Sequence, residues 1–367
     1  MLFSLKARAR KDFSRLRMMA AIGALAVVLA GSSLADAQSY MQPYVQPSPQ
    51  SYETFETFVQ RMGAVARAEG VSQRTLDDVL PTLSFEERVV ELDRAQPETL
   101  PNAPIPRYAP YRTRHVDAAR ISRGREKYIE LRPSLARIEA ETGVPESIMM
   151  AIYGNETNYG AFTGNFDLAR ALASLAYDGR RRDLFTTEFI ATLKLIDRGV
   201  PRETLKGSWA GATGLPQFLP SQYLLLGKDG DGDGRIDIWH DEADALASIA
   251  NYFVVHGWRR GVPWGVAASV PYGFDVRSVA SNNEGQRCAK VLDRLSRPLT
   301  LAQWRALGVL PQTYRPLQEG EFFSLIQPDG LGTPAWLTSS NYRAILSYNC
   351  SNFYGLSVGL LADAVER

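Results

Sequence analysis

The chain has 367 residues, 45% of them apolar and 22% charged, with a formal net charge of +1. Six Lys/Arg against two Asp give residues 1–37 a net of +4, so the remainder carries −3. That is the composition of a soluble globular protein, and a mildly acidic body excludes an electrostatic drive toward nucleic acid.

The N-terminus reads as an export signal. Lys6, Arg8, Arg10, Lys11, Arg15 and Arg17 form a basic leader, Met18–Ala30 is apolar, and Ala35-Asp36-Ala37 offers a small-x-small cleavage site. The alternative is an uncleaved anchor, but the apolar run is shorter than the roughly 20 residues of a membrane span. No Cys lies near the site, which argues against a lipid anchor. Residues 38–51 are Gln/Pro/Ser-rich and read as a flexible linker.

From Tyr52 the pattern turns helical, with Phe55, Phe58, Val59, Met62, Val65 and Ala66 on one face. Gly70 stops that helix and Ser72 caps the next. Five prolines between 97 and 113 predict a wrapped loop and no helix there. Helix resumes through Ile121–Ile138, and Gly143-Val144-Pro145 is a stop and restart, with Pro145 suited to a first turn. Further helices are expected over Pro145–Asn155, Leu168–Tyr177, Asp183–Asp197, Asp241–His256 and Tyr354–Val365. Val262–Val276 and Glu321–Ile326 have strand-like composition, around a short helix near Leu301–Leu307. The fold class is therefore mainly α, with a small β region in the C-terminal third. Cys288 and Cys350 are the only cysteines. In an exported chain they form either one disulfide or two buried thiols, and the sequence leaves that open.

Three motifs carry chemistry. In Gly154-Asn155-Glu156-Thr157-Asn158-Tyr159-Gly160, a carboxylate ends an apolar helix. Apolar neighbours and the negative end of the helix dipole both favour its protonated form, as a general acid requires. Taken alone, the pattern fits a solvated Glu at a helix end better than a catalytic acid. Gly207–Ser221 is rich in small residues and carries Ser208, Trp209 and Gln217. Its glycines let a sugar approach the backbone, and Ser208 and Gln217 can hydrogen-bond acetamido or hydroxyl groups. The third motif is Asp229-Gly230-Asp231-Gly232-Asp233-Gly234-Arg235-Ile236-Asp237. Asp229, Asp231, Asp233, Arg235 (through its carbonyl) and Asp237 stand at positions 1, 3, 5, 7 and 9 of an EF-hand calcium loop. Position twelve is His240, a poor ligand for a hard cation, so Asp241 or Asp244 would have to close the site. A turn that binds no metal is the alternative.

Together the motifs resemble the lytic murein transglycosylase B family of soluble-type lytic transglycosylases (glycoside hydrolase family 103, lysozyme-like superfamily). The resemblance runs from about Tyr52 to Val365 and includes Glu69–Ser72, Asp93–Glu98, Tyr177–Arg181, Gly207–Ser221, Ile249–Phe253 and Ser347-Tyr348-Asn349. It implies a lysozyme-like helical catalytic core with an EF-hand-like loop and a small antiparallel β region. The implied organisation is a signal peptide (1–37), linker (38–51), N-terminal helical region (52–135), catalytic core (136–266), small β-containing region (267–335) and a segment returning to the core (336–367). Glu156 matches the catalytic acid; Ser208, Gln217, Asn349, Tyr348 and Tyr111 match cleft positions; Arg180 and Arg181 match an arginine pair facing an acidic peptide stem. Core packing is the plain alternative for the tyrosines, and a surface ion pair for the arginines. The resemblance also implies structural Ca2+ held by the Asp-rich loop, no organic cofactor, and a periplasmic location. Expected partners are peptidoglycan glycan strands and proteins of cell-wall synthesis or remodelling, with no nucleic acid and no permanent membrane anchor after cleavage.

The implied reaction is non-hydrolytic cleavage of the β-1,4 bond between N-acetylmuramic acid and N-acetylglucosamine, leaving 1,6-anhydromuramyl ends. The rivals are a hydrolytic muramidase, for which Asp167, Asp178 and Asp183 are candidate second carboxylates, and a non-catalytic wall-binding scaffold. No nucleophile elbow, triad-like His setting or zinc-ligand cluster supports another hydrolase class.

Overall fold

The computed structural model describes residues 53–96 and 106–366. The signal and linker expected over 1–51, and the prolines at 97, 101 and 104, lie outside the described residues.

Fifteen α-helices, a small five-stranded antiparallel sheet and a two-stranded pairing of Phe166–Asp167 with Lys206–Gly207 form the main elements of the described residues. Phe55–Ala68 forms as expected, with Thr54 capping its start, and Ser72 accepts from Thr75 N to cap Gln73–Val79. Two further stretches differ from expectation. Tyr108–His115 is helical although it contains Pro110, because the proline occupies the third helical position, where no intrahelical N–H bond is lost. The stretch expected as one helix through Ile121–Ile138 divides at Leu131 into Ala118–Glu130 and Arg132–Thr142, with Pro133 opening the second. Gly143 ends that second helix in the left-handed conformation, φ 75°.

Three apolar cores organise the molecule. One is shared by the helices of 55–94 and the pair Leu168–Asp178 and Arg182–Asp197. The second surrounds Glu146–Thr157, packed by Glu242–Val255 and the C-terminal Asn352–Val365. In the third, Trp304, Phe323 and Leu337 lie beneath the sheet. That sheet runs in the order Leu299–Thr300, Phe322–Ile326, Ala335–Thr338, Gly265–Ser269, Leu310–Pro311, all antiparallel, with Leu325 opposite Leu337 and Leu337 opposite Val266. Cys288 and Cys350 are disulfide-bonded, Cα atoms 5.6 Å apart, so the 281–293 segment is tied to the turn between the last two helices.

Candidate active site

Glu156 stands in the last turn of Glu146–Thr157, a helix buried on almost every side from Ile148 to Gly154. Three successive residues then adopt left-handed backbone: Asn158 (φ 53°), Tyr159 (φ 60°) and Gly160 (φ 82°). This is unstrained for glycine but costly for tyrosine, and such strain persists only where the surroundings enforce it. Here they do. Buried Thr157 Oγ1 accepts from Gly160 N at 3.0 Å and lies 3.2 Å from the carbonyl oxygens of Tyr153 and Leu215. The Tyr159 ring fills a slot left by two glycines: a Cβ on Gly154 would meet it at 2.5 Å, and one on Gly124 would meet its hydroxyl at 2.2 Å. The turn thereby fixes where the Glu156 carboxyl group sits.

That carboxyl group is half-buried, and its Oε1 accepts from Tyr354 OH at 2.6 Å. Burial pushes its pKa from 4.5 up to about 7, and the Tyr354 hydrogen bond opposes the rise. Burial and then the Glu156 charge hold the Tyr348 and Tyr354 hydroxyls well above their usual range, and raise Tyr111 as well. The three candidate second carboxylates are placed elsewhere. Asp167 caps Leu168–Asp178 and pairs with Arg202 at 2.8 Å; Asp178 pairs with Arg94; Asp183 is exposed at a helix start. None of them bonds to Glu156.

The Gly207–Ser221 segment forms the facing lip. Ser208 Oγ accepts from Ala212 N at 3.0 Å, and Gly207 lies so close to the Ala212 carbonyl that no Cβ fits. Gln217 is itself left-handed (φ 54°), and its Nε2 donates to Thr163 O and Gly214 O at 3.1 and 3.0 Å. Its Oε1 takes no part in these bonds. Tyr348 braces this lip from beneath, donating to Pro216 O at 2.6 Å with its ring against Phe218, Tyr252 and Phe253. Asn349, next in sequence, is exposed, and its side-chain amide is unpaired. Tyr111 is half-buried, stacked on His115 with ring centroids 3.8 Å apart, and lies beside Phe353. Both Arg180 and Arg181 pair with Asp93, whose carboxylate is 1% exposed. The arginine pair thus has the ion-pair partner of the alternative reading, but that partner is buried instead of at the surface. Sequence reading also missed Tyr354, 198 residues from its partner Glu156. Its one local signal is Ser351, which caps the last helix through Tyr354 N.

The Asp-rich loop departs from the expected ligand set. Asp229, Asp231 and Asp244 bring carboxylate oxygens within 4.8 Å of one another. Asp244 closes the loop, whereas Asp241 is spent as the cap of Glu242–Val255. His240 turns its ring toward Asp237 at 3.0 Å. Asp233, which accepts from Arg235 N, and Asp237, which accepts from Trp239 N and His240 N, are not among those three. Asp244 is 2% exposed; it accepts from Gly230 N and Asp237 N, yet burial still raises its pKa. Asp229 goes the other way, its pKa lowered by the N–H groups of Gly232 and Gly234.

Comparison with known proteins bears on this arrangement. Residues 54–363 match the family model described as "Transglycosylase SLT domain". The chain is 30% identical over 322 residues to the membrane-bound lytic murein transglycosylase B of Escherichia coli K12, covering 84% of this chain and 82% of that protein. It resembles SltB3 of Pseudomonas aeruginosa, solved in complex with NAG-anhNAM-pentapeptide, with a TM-score of 0.76, 36% identity, and coverage of 86% of this chain and 80% of that one. It also resembles the Escherichia coli lytic transglycosylase Slt35 in complex with calcium, with a TM-score of 0.68, 29% identity, and coverage of 84% and 92%. With its lysozyme-like helical core and a family match over almost all of its described length, the chain belongs to the SLT-domain transglycosylase family.

Proposed function

We propose that the protein is a periplasmic peptidoglycan lytic transglycosylase in which Glu156 acts first as acid and then as base. The observation that carries this reading is a single half-buried carboxyl group with a pKa of about 7, held by one tyrosine hydroxyl and bonded to no second carboxylate. A proton carrier works best when its pKa lies near the working pH. Tyr354 occupies Oε1 and leaves Oε2 to carry the proton toward the substrate.

Glu156 protonates the oxygen of the β-1,4 bond between N-acetylmuramic acid and N-acetylglucosamine, and the bond from muramyl C1 to that oxygen breaks. The positive charge at C1 is shared with the ring oxygen or the acetamido group. Glu156, now a carboxylate, takes the proton of the muramyl C6 hydroxyl, and O6 closes onto C1. The nucleophile is part of the substrate, so no water is consumed and no second carboxylate is needed. Ser208, Gln217 Oε1, Asn349 and Tyr111 line the path of the glycan strand. Arg180 and Arg181 keep exposed edges that suit an acidic peptide stem.

Asp229, Asp231 and Asp244 suit calcium, a hard cation that takes oxygen ligands. A buried carboxyl group whose pKa is raised by burial gains from a neighbouring cation. The ion's role here is structural, tying the loop to Glu242–Val255, which packs under the catalytic helix. The basic, apolar leader supports export, and no helix among the described residues is long and apolar enough to cross a membrane.

Digestion of purified wall sacculi tests the reaction. Mass spectrometry of wild-type products should show muramyl ends lighter by one water, and Glu156→Gln should yield none. Reducing muramyl ends from the wild type would overturn the mechanism in favour of hydrolysis.

A further inference from the structure

Among the described residues Phe162 is the most exposed phenylalanine, at 72%. It has no polar tip for water to satisfy, and burying such a ring is worth on the order of 1.5–3 kcal/mol. A flexible loop would fold it inward, but this segment is fixed on both sides. Phe162 N donates to Thr157 O at 3.0 Å, one residue beyond Glu156. The next carbonyl, Thr163 O, accepts from Gln217 Nε2. Gly164 (φ 87°) presses on the opposite lip so closely that a Cβ would lie 2.2 Å from the Gly207 carbonyl and 2.5 Å from Ser208 N. Phe166 then pairs with Gly207. A backbone fixed at both ends therefore carries an unburied aromatic ring, and that backbone joins the catalytic turn to the segment carrying Ser208 and Gln217.

We propose that Phe162 is a stacking platform for one pyranose ring of the glycan strand, a substrate-binding residue additional to the cleft positions named above. One face of a pyranose presents C–H groups with partial positive charge, which suits the negative face of an aromatic ring. Aromatic walls with a few fixed polar groups are the usual make-up of a ligand cleft, and here Ser208 and Gln217 supply the polar part. The proposal rests on the glycan-cleaving function proposed above.

Binding of peptide-free glycan strands, measured by calorimetry in the Glu156→Gln background, tests it without turnover. Phe162→Ala should weaken binding roughly five- to tenfold. Phe162→Leu, apolar but without a π face, should bind as weakly, and Phe162→Trp should restore affinity. With Glu156 intact, Phe162→Ala should raise KM on sacculi and leave kcat, the pH midpoint and Tm unchanged. Wild-type affinity in Phe162→Leu would overturn the platform. So would a loss confined to peptide-bearing strands, or a joint fall in kcat and Tm. If the Glu156→Gln protein bound no glycan at all, the proposed function would fall as well; binding that ignores position 162 removes the platform alone.

Discussion

Two turns in this molecule present carboxylates, and they are built in opposite ways. The Asp229–Asp244 loop gathers its acids around backbone N–H groups, and its left-handed positions Gly232 (φ 88°) and Gly234 (φ 86°) are glycines, which adopt that backbone without strain. The turn after Glu156 gives left-handed backbone to an asparagine and a tyrosine, and gives its one carboxyl group a tyrosine hydroxyl and enough burial to raise its pKa. Asp229 accordingly falls below the ordinary carboxylate range while Glu156 rises to about 7. Surroundings separate these two carboxyl groups: backbone N–H groups favour the charged form of Asp229, while burial favours the protonated form of Glu156, as it does for Asp244 within the first loop.

The sharpest way to break this contrast is Glu156→Gln. Turnover should fall by at least the roughly 10²–10⁴-fold that general acid–base help supplies, read as anhydro-ended product. The same variant should gain stability at alkaline pH. The folded pKa, about 7, exceeds the ordinary 4.5, so the proton on Glu156 contributes stability that is complete below pH 4.5 and lost as pH rises through 7. Thermal melts should therefore show Glu156→Gln above wild type at about pH 8 and level with it in acid. Equal melting temperatures throughout would mean that the carboxyl group is not desolvated.

Next in size is Gly154→Ala. Its Cβ would lie 2.5 Å from the Tyr159 ring, so the ring and the strained turn must shift. The expected costs are about 1–3 kcal/mol of stability and on the order of 10²-fold in kcat, as for other small displacements of a catalytic group. Gly232→Ala is the matching change in the other turn. Nothing lies within 4 Å of its added Cβ, so only left-handed strain of about 1–2 kcal/mol remains, and kcat should hold. Equal kcat losses in the two variants would erase the distinction between the turns.

Tyr354→Phe probes the proton directly. Its hydroxyl lowers the Glu156 pKa against burial, so removing it should raise that pKa above 7. Cleavage starts from the protonated acid, so activity falls as pH rises through that value. The falling limb of the pH profile should move to higher pH in the variant; a shift to lower pH would contradict the assigned hydrogen bond.

Much of this contrast is legible in the sequence, and the limit is set by distance along the chain. Local signals hold where local physics decides: Ser72 as a cap, Gly143 as a stop, Glu156 at a helix end, the small-residue lip with Ser208 and Gln217. Proline misleads at 108–113 because its effect depends on its position within the helix, and a count of prolines carries no position. Partners remote in the chain leave no local trace. Tyr354 reaches Glu156 across 198 residues, Tyr348 reaches Pro216 across 132, and Arg181 reaches Asp93 across 88. Asp244 was named as one of two ways to close the Asp-rich loop. Only the fold separates it from Asp241, whose side chain takes Ala243 N and Asp244 N as a helix cap.

The smallest expected effect concerns that loop. Because the loop holds charge, calcium should raise Tm and leave the chemistry alone. Saturation at about 100-fold over Kd is worth about 2.7 kcal/mol, a shift of a few degrees for a chain of this size. Asp231→Asn is the cleaner probe: Asp231 is exposed and accepts Asp233 N through Oδ1, a bond an amide oxygen can keep. Asp244 holds two backbone N–H groups and would lose one of them as Asn. The Asp231→Asn protein should melt like wild type in a chelator and gain less from added calcium. Chelation of the wild type should leave the pH midpoint of cleavage in place at 25 °C. If chelation moved that midpoint, the loop would be coupled to the Glu156 proton, and its ion would have to be written into the reaction.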